Sequence, residues 1–346
     1  MEDSFARKID YLRISVTDRC NERCVYCMPP EGVPSVPHAS ILTFDEILRL
    51  VRIAAGLGFT KFKLTGGEPL VRRGLPSLVG EMKRIPGVGQ VTLTTNGSLL
   101  SGQMKELADA GLDAVNVSLD TADPELYRNI TRGGRLQDVL DGLDAALSFP
   151  GIVCKIDCVL LGMKEQKLTD IAAFAENRPV HVRFIEMMPI GLGKKMLFHD
   201  CGDAFLPGNE SDALAAEGHF VSCRTAAEIL EKKFGPLEKV DITLGNGPAE
   251  YYALPGFRGK IGFIGAISHK FCGTCNRVRL TSQGFLKTCL QYSEGADLRS
   301  LLRGGADDRE IEEVLRKTVF SKPREHSFLE RSIEQEERGT MSGIGG

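Results

Sequence analysis

Six of the ten cysteines in this 346-residue chain fall into two tight groups with the spacing of metal sites. Cys20, Cys24 and Cys27 stand in Cys-x3-Cys-x2-Cys spacing directly after the apolar run at 11–16. A short loop after a strand can curl three thiolates around one face of a metal centre. Thiolates favour Fe–S clusters and zinc, and three of them cannot complete a four-cysteine site. A [4Fe–4S] cluster held by three cysteines keeps one iron open for an outside ligand. Zinc motifs show paired Cys-x2-Cys units more often, so a partial zinc site or unrelated buried thiols is the weaker alternative. The second group is Cys272, Cys275 and Cys289, again three thiolates and again suited to a cluster with an open iron. A structural zinc with His269 as fourth ligand is the competing reading there. Arg277 and Arg279 follow within a few residues, and in an extended segment residues two apart point the same way. They would form a paired guanidinium clamp suited to phosphate; a solvated edge is the alternative. Cys154, Cys158, Cys201 and Cys223 lack ligand spacing, and the apolar run around the first two suggests buried, inert thiols.

The elements that must position these groups alternate between strand and helix. Strands are expected at 11–16, 61–65, 90–95, 113–119, 152–161 and 181–186, with helices after 43 and near 75–84, 100–110, 135–148 and 167–176. Thr43 and Glu46 make a capping box for the first helix, and Gly58 supplies its stop. Six strands separated by helices indicate a parallel sheet, doubly wound or barrel-like. The polar, glycine-rich and basic residues gather where strands end, which is where such architectures place their sites. At one such end, Gly66-Gly67-Glu68-Pro69 offers two glycines for close ligand approach and a carboxylate for an ammonium; a plain βα turn is the alternative. The pattern breaks near Pro189, and 193–222 reads as an insertion or surface loop. Beyond it come a helix at 225–234, a Gly/Pro-rich stretch of short strands at 240–267, and helices near 296–303 and 308–319. The polar tail ends in Gly345-Gly346 and by itself would be a flexible terminus.

Composition narrows the class. The chain is 42% hydrophobic and 26% charged with net charge −3, and no apolar run is long enough to span a bilayer. No signal-peptide pattern opens it, so a soluble cytoplasmic protein is expected, without a membrane partner. Near-neutral net charge gives no sign of a nucleic-acid partner. Ten cysteines in such a chain favour metal ligation over disulfides.

The Cys-x3-Cys-x2-Cys loop followed by Gly66-Gly67-Glu68-Pro69 resembles the radical S-adenosylmethionine (SAM) enzymes, in which the open iron chelates the methionine part of SAM. The resemblance narrows further on the run 12–21, Thr65 to Leu70, Thr94-Thr95-Asn96-Gly97, Val117-Ser118-Leu119-Asp120, Arg183-Phe184-Ile185-Glu186, the Cys272 to Arg279 motif and the Gly-Gly end. Together these are similar to the GTP 3′,8-cyclases, which begin molybdenum cofactor biosynthesis, over nearly the whole chain.

The resemblance implies an incomplete (β/α)6 TIM-like barrel over 1–223, a C-terminal α+β extension over 224–330 carrying a second Fe–S cluster, and a tail at 331–346. It implies two [4Fe–4S] clusters, on Cys20, Cys24 and Cys27 and on Cys272, Cys275 and Cys289. Tyr26, Gly67, Ser118 and Met188 fall at positions resembling the family's SAM contacts, with Ser118 toward the ribose and Met188 toward the adenine. Arg13, Lys63, Thr94, Lys155, Arg277 and Arg279 fall at those of its GTP contacts. The family commonly has an arginine where Lys63 stands, which keeps the charge but loses the fork geometry. Arg277, Arg279, Gly345 and Gly346 are the implied catalytic residues, the glycine tail entering the pocket. The implied reaction takes GTP to (8S)-3′,8-cyclo-7,8-dihydroguanosine 5′-triphosphate: a 5′-deoxyadenosyl radical removes the hydrogen at C3′, and the C3′ radical attacks C8. An electron donor such as flavodoxin or ferredoxin, transfer of product to cyclic pyranopterin monophosphate synthase, and a homodimer come with the family. A radical SAM enzyme with an auxiliary cluster that modifies a peptide is the alternative, though it leaves the arginine pair and the Gly-Gly tail unassigned.

Overall fold

The structure, a computed structural model, describes residues 1–34, 36–198, 219–328 and 339–344. Its strands, in chain order, are β1 (Tyr11–Ser15), β2 (Lys61–Thr65), β3 (Gln90–Thr95), β4 (Ala114–Ser118), β5 (Val153–Leu160), β6 (Val180–Glu186), β7 (Glu238–Val240), β8 (Glu250–Ala253), β9 (Ile261–Ile264), β10 (Arg277–Leu280), β11 (Phe285–Lys287) and β12 (Gly295–Asp297). They form one sheet in the order β12-β11-β10-β1-β2-β3-β4-β5-β6-β9-β8-β7. Every pairing from β10 across to β9 is parallel, and the two outer pairs on each side are antiparallel.

Helices connect the parallel strands. Helix α1 (Phe44–Gly56) starts where Thr43 and Glu46 cap one another, Glu46 N donating to Thr43 Oγ1 at 3.1 Å and Thr43 N to Glu46 Oε2 at 2.7 Å. Its Ile47, Leu48, Leu50, Val51 and Ile53 are buried, each such side chain contributing roughly 1.5–3 kcal/mol relative to exposure. Helices α2 (Leu75–Lys83), α3 (Leu100–Asp109) and α5 (Leu136–Leu147) follow the expected periodicity. Between the last two lies α4 (Pro124–Thr131), absent from the sequence reading though Asp123 caps it and Pro124 opens it. The helix expected at 167–176 is split into α6 (Leu168–Ala172) and α7 (Phe174–Asn177). Within the stretch read as an insertion, the described part contains α8 (Leu192–Phe198); residues 199–218, including Cys201, lie outside the described residues. Helices α9 (Cys223–Phe234), α10 (Leu298–Arg303), α11 (Asp308–Phe320) and α12 (Met341–Ile344) complete the set among the described residues.

Central parallel strands are ordinarily apolar on both faces; these alternate. Ile14, Phe62, Leu64, Val91, Leu93, Val115, Val117, Ile156, Val182 and Phe184 belong to the main core. The residues between them, Arg13, Lys63, Thr92, Thr94, Asn116, Lys155, Asp157 and Arg183, line a cavity instead. With a side-chain period of two, one face makes the core and the other a polar floor. The C-terminal strands take part in both: β10 pairs with β1 and β9 with β6, so Arg277 and Arg279 join the same floor.

Candidate active site

The first cysteine loop, after β1, is fixed on three sides. Gly67 N donates to Thr17 O at 2.9 Å and Glu68 N to Arg19 O at 2.8 Å, tying it to the turn after β2. Asn96 Nδ2 donates to Asn21 Oδ1 at 2.9 Å, tying it to the end of β3. The C-terminus of α4 supplies the third anchor: Arg23 N and Val25 N donate to Thr131 O and Ile130 O, both at 2.9 Å. Arg132, left-handed at φ 53°, donates to Arg23 O at 3.0 Å and Met28 O at 2.9 Å. These anchors on Arg23, Val25 and Met28 were not visible in the sequence.

The turn residues act differently from the expectation. A Cβ on Gly66 would stand 2.6 Å from Thr17 O, and one on Gly67 would collide with Arg19 O. The glycines admit the backbone of the cysteine loop rather than a ligand alone. Glu68 is fully buried and accepts from Leu70 N at 3.0 Å, Thr95 Oγ1 at 2.7 Å and Asn96 N at 2.7 Å. Its carboxylate joins two strand ends; burial raises its pKa to about 7.

A cavity of about 440 Å³ spans the polar face. Cys20, Cys24 and Cys27 lie on its wall, as do all ten residues expected to contact SAM or GTP: Tyr26, Gly67, Ser118, Met188, Arg13, Lys63, Thr94, Lys155, Arg277 and Arg279. The cysteine end carries acids. Burial pushes Cys20 up to about 12, against a hydrogen bond from Glu22 N, and pushes Cys24 well above its ordinary value with the Glu22 carboxylate adding to it. Glu22, which accepts from Tyr127 Oη at 2.8 Å, rises to about 7, and Asp120, which accepts from Tyr26 Oη at 2.8 Å, to about 6, both through burial. Three neighbouring thiols in a shielded pocket fit a group that supplies its own positive charge to ionise them. Among the described residues, no three His, Cys, Asp or Glu side chains converge as a single metal ion would require. His269 lines a separate pocket with Glu250.

The opposite end is cationic. Arg13 stands directly across from Arg279 on one side and Lys63 on the other. Lys155 and Arg183 come from β5 and β6. Asp157 faces these cations and is taken by Arg183, whose Nε and Nη2 both donate at 2.6 Å. Burial, then Arg183, holds Lys63 well below its ordinary pKa and brings Lys155 down to about 8. Buried cations in such surplus call for a polyanion.

Cys272, Cys275 and Cys289 are half-buried and are not on the cavity wall, but Phe271, Arg277, Arg279 and Leu290 beside them are. Arg277 stacks over Phe271, its guanidinium 5.0 Å from the ring centre. Burial pushes Cys275 up, yet Arg277 and Lys322 outweigh it and bring the thiol down to about 7. Arg7 pins this region, donating to Cys272 O at 2.8 Å, Arg324 O at 2.8 Å and Pro323 O at 2.7 Å. Gly345 and Gly346 lie outside the described residues; of the tail before them, Met341 lines the cavity and Ile344 is buried with Ile190, Leu290 and Phe328. The residues that sequence reasoning passed over are Glu22, Asp120 and Arg183, which sat inside quoted motifs without a role, Asp157 within the strand expected at 152–161, and the loop at 243–248.

Comparison with known proteins agrees with this arrangement. Residues 14–175 match the radical SAM superfamily, and residues 205–328 match Molybdenum Cofactor Synthesis C. SuiB of Streptococcus suis shares the fold, with TM-score 0.56 and 13% identity over 91% of this chain and 66% of that one. Fold and cysteine loop together define a radical SAM enzyme. Over the whole length of both chains, the sequence is 44% identical to the GTP 3′,8-cyclase of Pelotomaculum thermopropionicum and 43% identical to that of Heliobacterium modesticaldum. The chain belongs to the GTP 3′,8-cyclase family.

Proposed function

We propose that the chain converts GTP to (8S)-3′,8-cyclo-7,8-dihydroguanosine 5′-triphosphate, the first step of molybdenum cofactor biosynthesis. The observation that carries the reading is one cavity with three thiols and acids at one end and six cations at the other. Cys20, Cys24 and Cys27 would hold a [4Fe–4S] cluster, which when bound would supply the electron for splitting SAM into methionine and a 5′-deoxyadenosyl radical. Tyr26, Gly67, Ser118 and Met188 hold SAM, and the Glu22 and Asp120 carboxylates suit its positive charge. Arg13, Lys63, Lys155, Arg277 and Arg279, with Thr94, hold the triphosphate and so fix the ribose where the radical forms. The radical takes the hydrogen from C3′, and the C3′ carbon bonds to C8. A second electron from the same external donor that reduces the first cluster, with one proton from solvent, completes the dihydropurine, so the product is an isomer of GTP.

The finer parts of the reading rest on separate supports. Cys272, Cys275 and Cys289 would hold a second cluster, which would supply a ligand site for the guanine; this is supported by the cationic surroundings of Cys275 and by Arg277 and Leu290 on the cavity wall. An incomplete barrel is supported by side chains from β1 to β6, β9 and β10 sharing one cavity. Entry of Gly345-Gly346 into the pocket beside Arg277 and Arg279 is supported by Met341 on its wall. No helix among the described residues is long and apolar enough to cross a membrane. A cytoplasmic homodimer fed by flavodoxin or ferredoxin and passing product to cyclic pyranopterin monophosphate synthase completes the reading.

Anoxic incubation of reconstituted protein with SAM, dithionite and GTP tests it. The expected result is 5′-deoxyadenosine together with a chromatographically distinct species of GTP's mass. Deoxyadenosine without any GTP-derived product would overturn the substrate assignment in favour of a peptide.

A further inference from the structure

Between β7 and β8, residues 243–248 turn into the cavity and all line it. Tyr251, 3% exposed, holds the loop by donating its Oη to Leu244 O at 3.2 Å. Two glycines let it lie on the cationic floor. A Cβ at Gly245, whose φ is +96°, would stand 3.3 Å from Lys155 Nζ, and one at Gly247 would stand 3.5 Å from Arg183 Nη1. Asn246 sits between them. Its Nδ2 is shielded from solvent and has no hydrogen-bond partner among the described residues. Native structures seldom leave a buried amide donor unmatched, because it loses water and gains nothing. A ligand in the cavity that Asn246 lines would supply the acceptor. Asp157, the carboxylate facing the neighbouring cations, is already taken by Arg183 and by Asn116 Nδ2 at 3.2 Å.

We propose that Asn246 is a substrate-binding residue that donates its Nδ2–H to a phosphate oxygen of the bound nucleotide, next to Lys155 and Arg183. An anion that reaches these two cations comes within reach of the loop resting on them. The neutral amide then adds direction to a site otherwise built from charge, and Gly245 and Gly247 are the residues that let it come so close. This inference rests on GTP being the substrate.

The test is equilibrium binding of GTP and of guanosine to the full-length, cluster-loaded protein under anoxic conditions. Asn246→Ala should weaken GTP about tenfold, as loss of one hydrogen bond to a charged group does, and leave guanosine within about twofold. Asn246→Asp, which sets a negative charge against phosphate, should weaken GTP about a hundredfold. Iron content and Tm should match the unaltered protein, and Lys155→Ala serves as the control for the phosphate site. Unchanged GTP binding in Asn246→Ala, alongside weakened binding in Lys155→Ala, would overturn the role of Asn246 alone. Equal losses for GTP and guanosine would overturn the phosphate contact. Failure of the unaltered protein to bind GTP would overturn the substrate reading, and this inference with it.

Discussion

The two cysteine groups use the same number of thiols in opposite surroundings. Cys20 and Cys24 sit among Glu22, Asp120 and Glu68, and their pKa values go up. In the second group Cys275 sits beside Arg277 and Lys322 and goes down to about 7, although burial still raises its neighbour Cys272. The same division runs along the cavity, with acids at the first group and Arg13, Lys63, Lys155 and Arg279 toward the second. A cation such as SAM and a polyanion such as GTP would each find a complementary end, and the reacting atoms would meet between. Charge segregation within one pocket thus orders two ligands without separate walls.

Removing the first triad should have the largest effect. Cys20→Ala, Cys24→Ala and Cys27→Ala together should abolish 5′-deoxyadenosine formation and remove about half of the bound iron, as one of two four-iron clusters would account for. Removing Cys272, Cys275 and Cys289 instead should abolish cyclisation while slow SAM cleavage continues. Complete loss of cleavage in a well-folded variant would break the separation of roles. Gly67→Ala should lower iron at the first site and spare the second, because the added methyl collides with Arg19 O in the first cysteine loop; equal iron loss at both would contradict that account. Lys63→Ala should weaken GTP by about ten- to a hundredfold, the range for charge-assisted hydrogen bonds, and leave SAM binding unchanged.

The smallest effect is a pH dependence. Lys155 must be protonated to attract phosphate, and burial brings its pKa down to about 8 in the free protein. GTP affinity should therefore be full below about 8 and fall as pH rises through it, until the raised pKa of the bound state is also passed. Titration calorimetry across that window should show the fall, and Lys155→Arg should flatten it, because arginine stays charged.

Much of this was legible in the sequence because local signals and the fold agree. The cysteine spacing, the Thr43–Glu46 capping box and the strand–helix alternation all depend on residues a few positions apart. Four features were not legible because they depend on distant contacts. Strands β9 and β10 join the parallel sheet through pairing with β6 and β1, which no period in their own four residues announces. Glu68 reads as a turn carboxylate, and its hydrogen bonds from Thr95 and Asn96 at the end of another strand appear only in the fold. Helix α4 had its Asp-Pro start in the sequence, but its use as an anchor depends on meeting the cysteine loop. Asn246 lies in a stretch that reads as turns, and only the approach of its flanking Gly245 and Gly247 to Lys155 and Arg183 gives it meaning.

The most direct test of the two-ended cavity is hydrogen transfer between its ligands. The protein would be incubated anoxically with SAM, dithionite and GTP deuterated at C3′, and the 5′-deoxyadenosine analysed by mass spectrometry. Deuterium in the deoxyadenosine is the predicted result, since the radical made at the cysteine end reaches the ribose held at the cationic end. Deoxyadenosine free of deuterium, formed while GTP is bound, would contradict the account.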